Sequence, residues 1–201
     1  MPAAAIAALL LAMTIRLPEA PATVAEQRAR LPPAAECESD IAGKWRGQVH
    51  SEITKSWYEF TLEVRHIEGS AHALTGVIHV HLWVGGPELT EPSCTGGSRY
   101  RGKMAGQGRF QNGEVFFGGG AFQLTEVVCG DDVGSGYNPD QFTGRVDTQR
   151  QEFQSVNNDG GAAVNEPTVF RRVACFDDEP LANPPDVAPP PFFPERREGG
   201  C

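Results

Sequence analysis

Residues 57–66 read WYEFTLEVRH, and residues 74–84 read LTGVIHVHLWV. In the first stretch Tyr58, Phe60, Leu62 and Val64 fall on one side of an extended chain, and Trp57, Glu59, Thr61, Glu63 and Arg65 on the other. In the second, Leu74, Ile78, Val80, Leu82 and Val84 oppose Thr75, His79, His81 and Trp83. Successive side chains of a strand point to opposite faces, so this period of two marks strands with one dry face and one wet face. YRGKMAGQGRF (100–110) repeats it, with Tyr100, Met104 and Phe110 against Arg101, Lys103, Gln107 and Arg109. Working outward, further strands are expected at 43–50, at 114–129 with a kink at Gly118-Gly119-Gly120, and at 141–148, 151–157 and 167–175. Turn signals such as Gln111-Asn112-Gly113 and Asn158-Asp159-Gly160-Gly161 separate them.

The expected fold class is therefore all-β, with about eight antiparallel strands that either stack as a sandwich or close into an up-and-down barrel. Two observations favour the barrel. Gly76, Gly102, Gly106 and Gly144 fall on apolar faces, where a missing side chain permits sharp coiling or leaves internal space. The second is parity: if strands alternate up and down, Cys37 and Cys175 meet at one rim and Cys94 and Cys129 at the other. Four cysteines admit three connectivities, of which 37–175 with 94–129 is one that needs no crossing of the barrel. Closing so long a loop with the first pair stabilises the fold by about 4–5 kcal/mol in the chain-entropy account.

The chain of 201 residues is long enough for one core with appended ends. Its formal net charge of -9 repels nucleic acid and anionic membrane surfaces. Residues 3–15, AAAIAALLLAMTI, are too short an apolar run to cross a bilayer and precede Ala20-Pro21-Ala22, so 1–22 reads as a secretory signal, although no Lys or Arg stands ahead of the run. Residues 23–36 read as a disordered polar linker, 37–176 as the barrel, and 177–201 as a Pro-rich disordered tail. Such a chain is secreted or periplasmic, with no membrane contact after signal cleavage, and there its cysteines pair.

Gly43-Lys44-Trp45 at the first strand and the arginines of VFRRVAC (169–175) at the last, on a barrel of about eight strands, resemble the calycin group: lipocalins, fatty-acid-binding proteins and avidins. The resemblance implies that an arginine lies across the tryptophan at the closed end, its guanidinium stacked on the indole and its N–H groups on nearby carbonyls. By parity Arg171, flanked by Val169 and Val173, is the inward arginine, and it forms with Trp45 a structural plug. A ligand then enters at the opposite rim and meets Tyr58, Phe60, His66, Tyr100, Met104, Phe122 and Leu124, a lining suited to a small hydrophobic or amphipathic molecule.

His79 and His81 are close enough in sequence to share an ion, but no carboxylate or cysteine at suitable spacing completes a metal site; they read as solvated, and no metal or cofactor is expected. Asp131-Asp132 and Asn157-Asn158-Asp159 read as turns rather than calcium loops. No catalytic residue is assigned, since the chain has no nucleophile elbow and no signature pair of carboxylates. The leading expectation is an exported, non-catalytic barrel that binds a small apolar molecule. The alternative is a secreted protein-binding module, such as a hydrolase inhibitor, that presents the 85–97 connection GGPELTEPSCTGG to a protein partner.

Overall fold

The computed structural model describes residues 24–131 and 136–176, so the expected signal at 1–22, the tail at 177–201 with Cys201, and Asp132 lie outside the described residues. A short helix, α1 (Val24–Arg30), precedes β1 (Gly43–Ser51), β2 (Ser56–His66), β3 (Ala73–Val84), β4 (Arg99–Gln111), β5 (Glu114–Gly119), β6 (Gln123–Cys129), β7 (Gln141–Asp147), β8 (Glu152–Asn158) and β9 (Val164–Cys175). Every neighbouring pair is antiparallel, and the pairings of β1 with β9 and of β3 with β4 close the sheet into a ring. β5 and β6 share one place in that ring: β5 pairs with Gly106–Gln111 of β4 and β6 with Arg99–Lys103. The step between them follows the expected glycine kink, so the barrel has eight staves.

Chain direction sets the two ends. β1 begins and β2 and β9 end at the base, where Cys37 is bonded to Cys175; β6 ends at the mouth, where Cys94 is bonded to Cys129. Both bonds are those of the non-crossing connectivity.

The interior is packed with aromatic and branched side chains, because the inward residues of all the staves are large and glycines stand where they would collide. Trp45, Phe60, Leu62, Ile78, Met104, Phe117, Phe142, Phe153 and Phe170 are all fully buried and belong to one cluster. Each such side chain stabilises the fold by about 1.5–3 kcal/mol on burial. A methyl group added at Gly106 would overlap the Phe117 ring, and one at Gly102 the Phe122 ring. The space that these glycines open is filled by the protein's own rings.

At the base the guanidinium of Arg172 lies 4.4 Å from the centroid of Trp45. It donates to the main-chain oxygens of Ser39 at 2.7 Å and Asp40 at 2.6 Å, while the Trp45 indole donates to that of Ile41 at 2.9 Å. The plug is therefore Trp45 with Arg172, and the assignment to Arg171 is corrected. Pairing of β1 with β9 slips between Lys44 and Trp45, so that Trp45 stands opposite Arg172 and Val173 is left over in the register. The slip lies beyond Arg172, and from Val169 to Arg172 the register is unbroken, so Phe170 and Arg172 share the inward face and Val169 and Arg171 the outer one. Arg171 points outward instead and shares the buried carboxylate of Glu152 with Arg28.

The expected linker also contains structure. β1 and β9 part company beyond Gly47 and Phe170, which leaves the Pro167 carbonyl and the Val169 N–H without a strand partner. The amide of Gln27, on α1, takes both, donating to Pro167 at 2.7 Å and accepting from Val169 at 2.8 Å. The helix thus covers β9 from outside, which is why Val169, expected on the inward face, is buried on the outer one. Arg172→Met is expected to lower stability by about 3 kcal/mol, since two buried carbonyls lose their donor. Arg171→Met costs less than half of that because Arg28 still engages Glu152; urea unfolding of both variants checks the order.

Candidate functional site at the mouth of the barrel

Three segments converge at the mouth: residues 136–140 leading into β7, the β8–β9 hairpin around 159–163, and the first residues of β9. Asp140 stands among them with 3% of its surface exposed. Its carboxyl accepts from the Tyr137 hydroxyl at 2.7 Å and from the Asn157 side-chain amide at 2.6 Å. Asn157 in turn accepts from the Gln141 N–H at 3.1 Å, and the main-chain oxygen of Asp140 takes the Gly119 N–H at 2.8 Å. A side chain on β8 and the end of β5 therefore hold this acid where β7 begins.

Burial pushes the Asp140 carboxyl up to about 7, against the lowering effect of its two donors, and the charges of Asp159 and Glu166 push the same way. Glu166 is likewise raised to about 7, by burial first and by Asp159 second. Burial raises the phenols of Tyr58 and Tyr137 as well, and takes Tyr100 up to about 12. Between Ser51, Tyr58, Phe60, Asp140 and Glu166 lies a cavity of about 10 Å³, room for one water molecule.

Aromatic rings run across the mouth beside these acids. Phe60 and Tyr58 stack at 6.0 Å, Tyr58 meets Tyr137 at 6.5 Å, Tyr137 stacks on Phe122 at 4.3 Å, and Phe122 meets Tyr100 edge-on at 6.3 Å. Of the residues expected to face a ligand, the structure brings Tyr58, Tyr100 and Phe122 together here, with Phe60 as the floor of the cavity. Leu124 shares the inner face of β6 with Val127, opposite Gly102 and Tyr100; these two side chains are 43% and 45% exposed because, among the described residues, β6 pairs with β4 alone. Met104 lies deeper, wholly buried in the core.

His66 does not belong to the mouth. Its face is the inward one, but β2 runs toward the base, and there its Nε2 lies 3.1 Å from Asp40 Oδ1. Tyr137, Asp140, Asn157 and Glu166 had no motif to announce them; a phenol and a carboxyl three residues apart ahead of a strand, in Tyr137-Asn138-Pro139-Asp140, were the local signal.

The outer wall departs from the alternation too. Trp57 and Trp83 face outward yet are buried, stacked on each other at 6.1 Å with the Arg30 guanidinium 4.9 Å from the Trp57 centroid. The 85–97 connection folds over them as a strap. Its carbonyls at Gly85, Gly86, Leu89 and Thr90 accept from His50, Trp57, Trp83 and Gln48. His81 sits beside this layer, buried rather than solvated; it accepts from Arg99 at 2.9 Å and is pushed down to about 4 by burial and by Arg101 and Arg99. Among the described residues no three His, Cys, Asp or Glu side chains are grouped to hold a metal ion.

The architecture is that of a closed antiparallel barrel of eight staves, plugged at its base by an arginine on a tryptophan and carrying acids and phenols at its mouth. Compared with protein-family models, curated proteins and solved structures, the chain has no significant match.

In the folded protein Asp140 and Glu166 keep protons up to about pH 7 that the unfolded chain releases near pH 4. Their contribution to stability is full below about pH 4 and is lost as the pH rises to 7, at up to about 1.4 kcal/mol per unit for Asp140. Urea midpoints of the protein and of Asp140→Asn between pH 4 and pH 8 check this: the difference between them shifts in favour of the variant as pH rises. A difference that stays flat means that Asp140 is ionised in the folded state.

Proposed function

We propose that this chain is an exported, non-catalytic binding protein of the calycin type, which takes a small amphipathic molecule at the mouth of its barrel rather than along its axis. The observation that carries the reading is the meeting, at one rim, of hydrogen-bonded polar groups around a small cavity, Tyr58, Asp140 and Glu166, with a run of rings that leads through Tyr137 and Phe122 to Tyr100, beside the uncovered Leu124 and Val127 of β6. Binding sites combine mostly apolar walls with a few placed polar groups, and this rim has both. The packed aromatic core supports the mouth over the axis as the place of binding. The barrel with its Arg172–Trp45 base supports the calycin type. Two disulfides and the signal-like start support export. The alternative, a partner-binding strap at 85–97, has one observation in its favour, the exposure of Cys94–Gly97 at a point pinned by a disulfide.

Amide shifts of the labelled protein, titrated separately with phenethylamine, 2-phenylethanol and 3-phenylpropionate, test the reading. At least one of the three is expected to move the signals of Tyr58, Tyr100, Leu124 and Asp140 saturably while those of Trp45 and Arg172 stay in place. No response to any of them at millimolar concentration, or shifts confined to the strap, refutes it.

A further inference from the structure

We propose that the apolar rim of the mouth is a docking surface for the chain's own C-terminal segment Pro191-Phe192-Phe193-Pro194, with the two phenylalanine rings lying on the uncovered side chains of β6. This goes beyond the reading of the mouth as a ligand site and stands whether or not a small molecule binds there.

The surface is defined by where the fold leaves apolar side chains in water. Among the described residues the large exposed ones are Ile53, Leu124, Val127, Val128 and Val164. Ile53 lies in the turn from β1 to β2, Val164 opens β9, and the other three belong to β6. β1 runs up to the mouth, β9 runs down from it and β6 ends there, so all five stand at this rim and none at the base. On β6 every residue from Gln123 to Val128 is exposed, because among the described residues the strand pairs with β4 alone. Val128 falls where that pairing slips. Apolar side chains gathered on an open strand mark a place that another segment covers.

The occupant is argued from sequence and length. Within 177–201, residues 187–194 read VAPPPFFP and carry no charge, while the rest of the stretch holds Asp177, Asp178, Glu179, Asp186, Glu195 and Glu198 along with Arg196 and Arg197. Only an uncharged segment approaches a rim bearing Asp159 and Glu166 without repulsion. Prolines on both sides of the phenylalanines favour an extended backbone, and Pro-x-x-Pro segments dock on surfaces lined by aromatic rings. The rim offers such rings beside β6: Phe122, which directly precedes the strand, and Tyr137, stacked on it at 4.3 Å, both only partly buried.

The segment also reaches. The stretch leaves β9 at the base, and the 12 residues of β9 rise about 40 Å along the strand. Barrel staves lean by about 35–45°, so the height to be climbed is about 30 Å. Residues 177–191 span about 46 Å as a polyproline helix, which leaves length to travel round the wall to β6. Tethering holds the segment at a millimolar effective concentration, so a contact of millimolar affinity is already populated within one chain. A second copy has no such advantage, and a formal net charge of -9 on each chain keeps copies apart.

A nitroxide attached to Cys201, which neither disulfide uses, tests the proposal in the full chain with no ligand present. The amide signals of Leu124, Val127 and Val128 are expected to lose most of their intensity, while those of Lys44 and His66 at the base keep theirs. The double variant Phe192→Ser/Phe193→Ser, altered outside the barrel, is expected to restore the β6 signals. Equal loss in the double variant means that the segment only sweeps past the rim, and overturns the proposal; so does loss centred on the base or the strap, or no loss at all. Loss of the β6 signals in isotope-labelled protein without nitroxide, mixed with an equal amount of spin-labelled protein, places the segment on a second copy and overturns docking within one chain.

Discussion

The fold depends on a single buried guanidinium. A barrel exists only if its first and last strands meet, and here β1 and β9 pair over a short stretch, from Gly43 opposite Cys175 to Gly47 opposite Phe170. Arg172 secures that stretch by standing on the face of Trp45 and holding the carbonyls of Ser39 and Asp40, so the segment that leads into β1 is drawn across the base as a lid. Burial pushes this guanidinium down to about 10, a measure of what its confinement costs, yet at any ordinary pH it remains charged. The disulfide between Cys37 and Cys175 ties the same two chain segments covalently, and Gln27 satisfies the strand edge that β1 abandons. Seam, lid and helix are one device, assembled around a charge that cannot leave without exposing carbonyls to a dry interior.

With the base sealed and the axis filled by rings, polar chemistry has only the mouth left to occupy. The two ends differ in kind. At the base the buried charge is a cation whose two terminal nitrogens both find oxygen; at the mouth the buried groups are acids whose charges bear on one another. Asp140 has two good donors and is still raised, which shows that desolvation and the neighbouring carboxylates outweigh hydrogen bonding there. β6 contributes to the asymmetry, since it keeps a partner on one side while Leu124 and Val127 stay open to solvent.

The strands could be read from the sequence because period-two alternation is a local property that burial on one face enforces: WYEFTLEVRH and LTGVIHVHLWV fall within β2 and β3 almost residue for residue. Parity likewise placed the cysteines at their rims and left three connectivities open, of which the structure forms the non-crossing one. What escaped were features set by non-local partners. Val169, two residues from Arg171, reads as a core residue because it is apolar, and what buries it is α1 on the outside of β9, which nothing near it in sequence announces. Trp57 and Trp83 lie on the solvent side by alternation, and nothing nearby in sequence says that residues 85–90 will fold back onto them. Gln27 sits in a polar run indistinguishable by composition from a linker. Asp140 is held by Asn157 from β8 and bears the charge of Glu166 from β9, neither of them near it in sequence. His66 was misplaced for a simpler reason, since the face of a residue was weighed without the direction of its strand.

These misses share a physical form with the site itself. A chain selected for stability alone would neutralise Asp140, Asp159 and Glu166 with lysine or arginine, as it does for Glu152 one strand length away, or replace them with apolar residues that pack as well. Instead it keeps Asp140 and Glu166 where burial works against their charge. At the base and over the outer tryptophans the unmet charged groups are nitrogens of guanidiniums that are otherwise held, as in Arg172 and Arg30, whereas at the mouth whole carboxyls are buried with no cation of the described residues beside them. Proteins depart from such rules where function requires it and compensate elsewhere, so the departure is itself an argument for binding at the mouth. The rigid, doubly stapled barrel beneath is what allows the cost to be carried without loss of the fold.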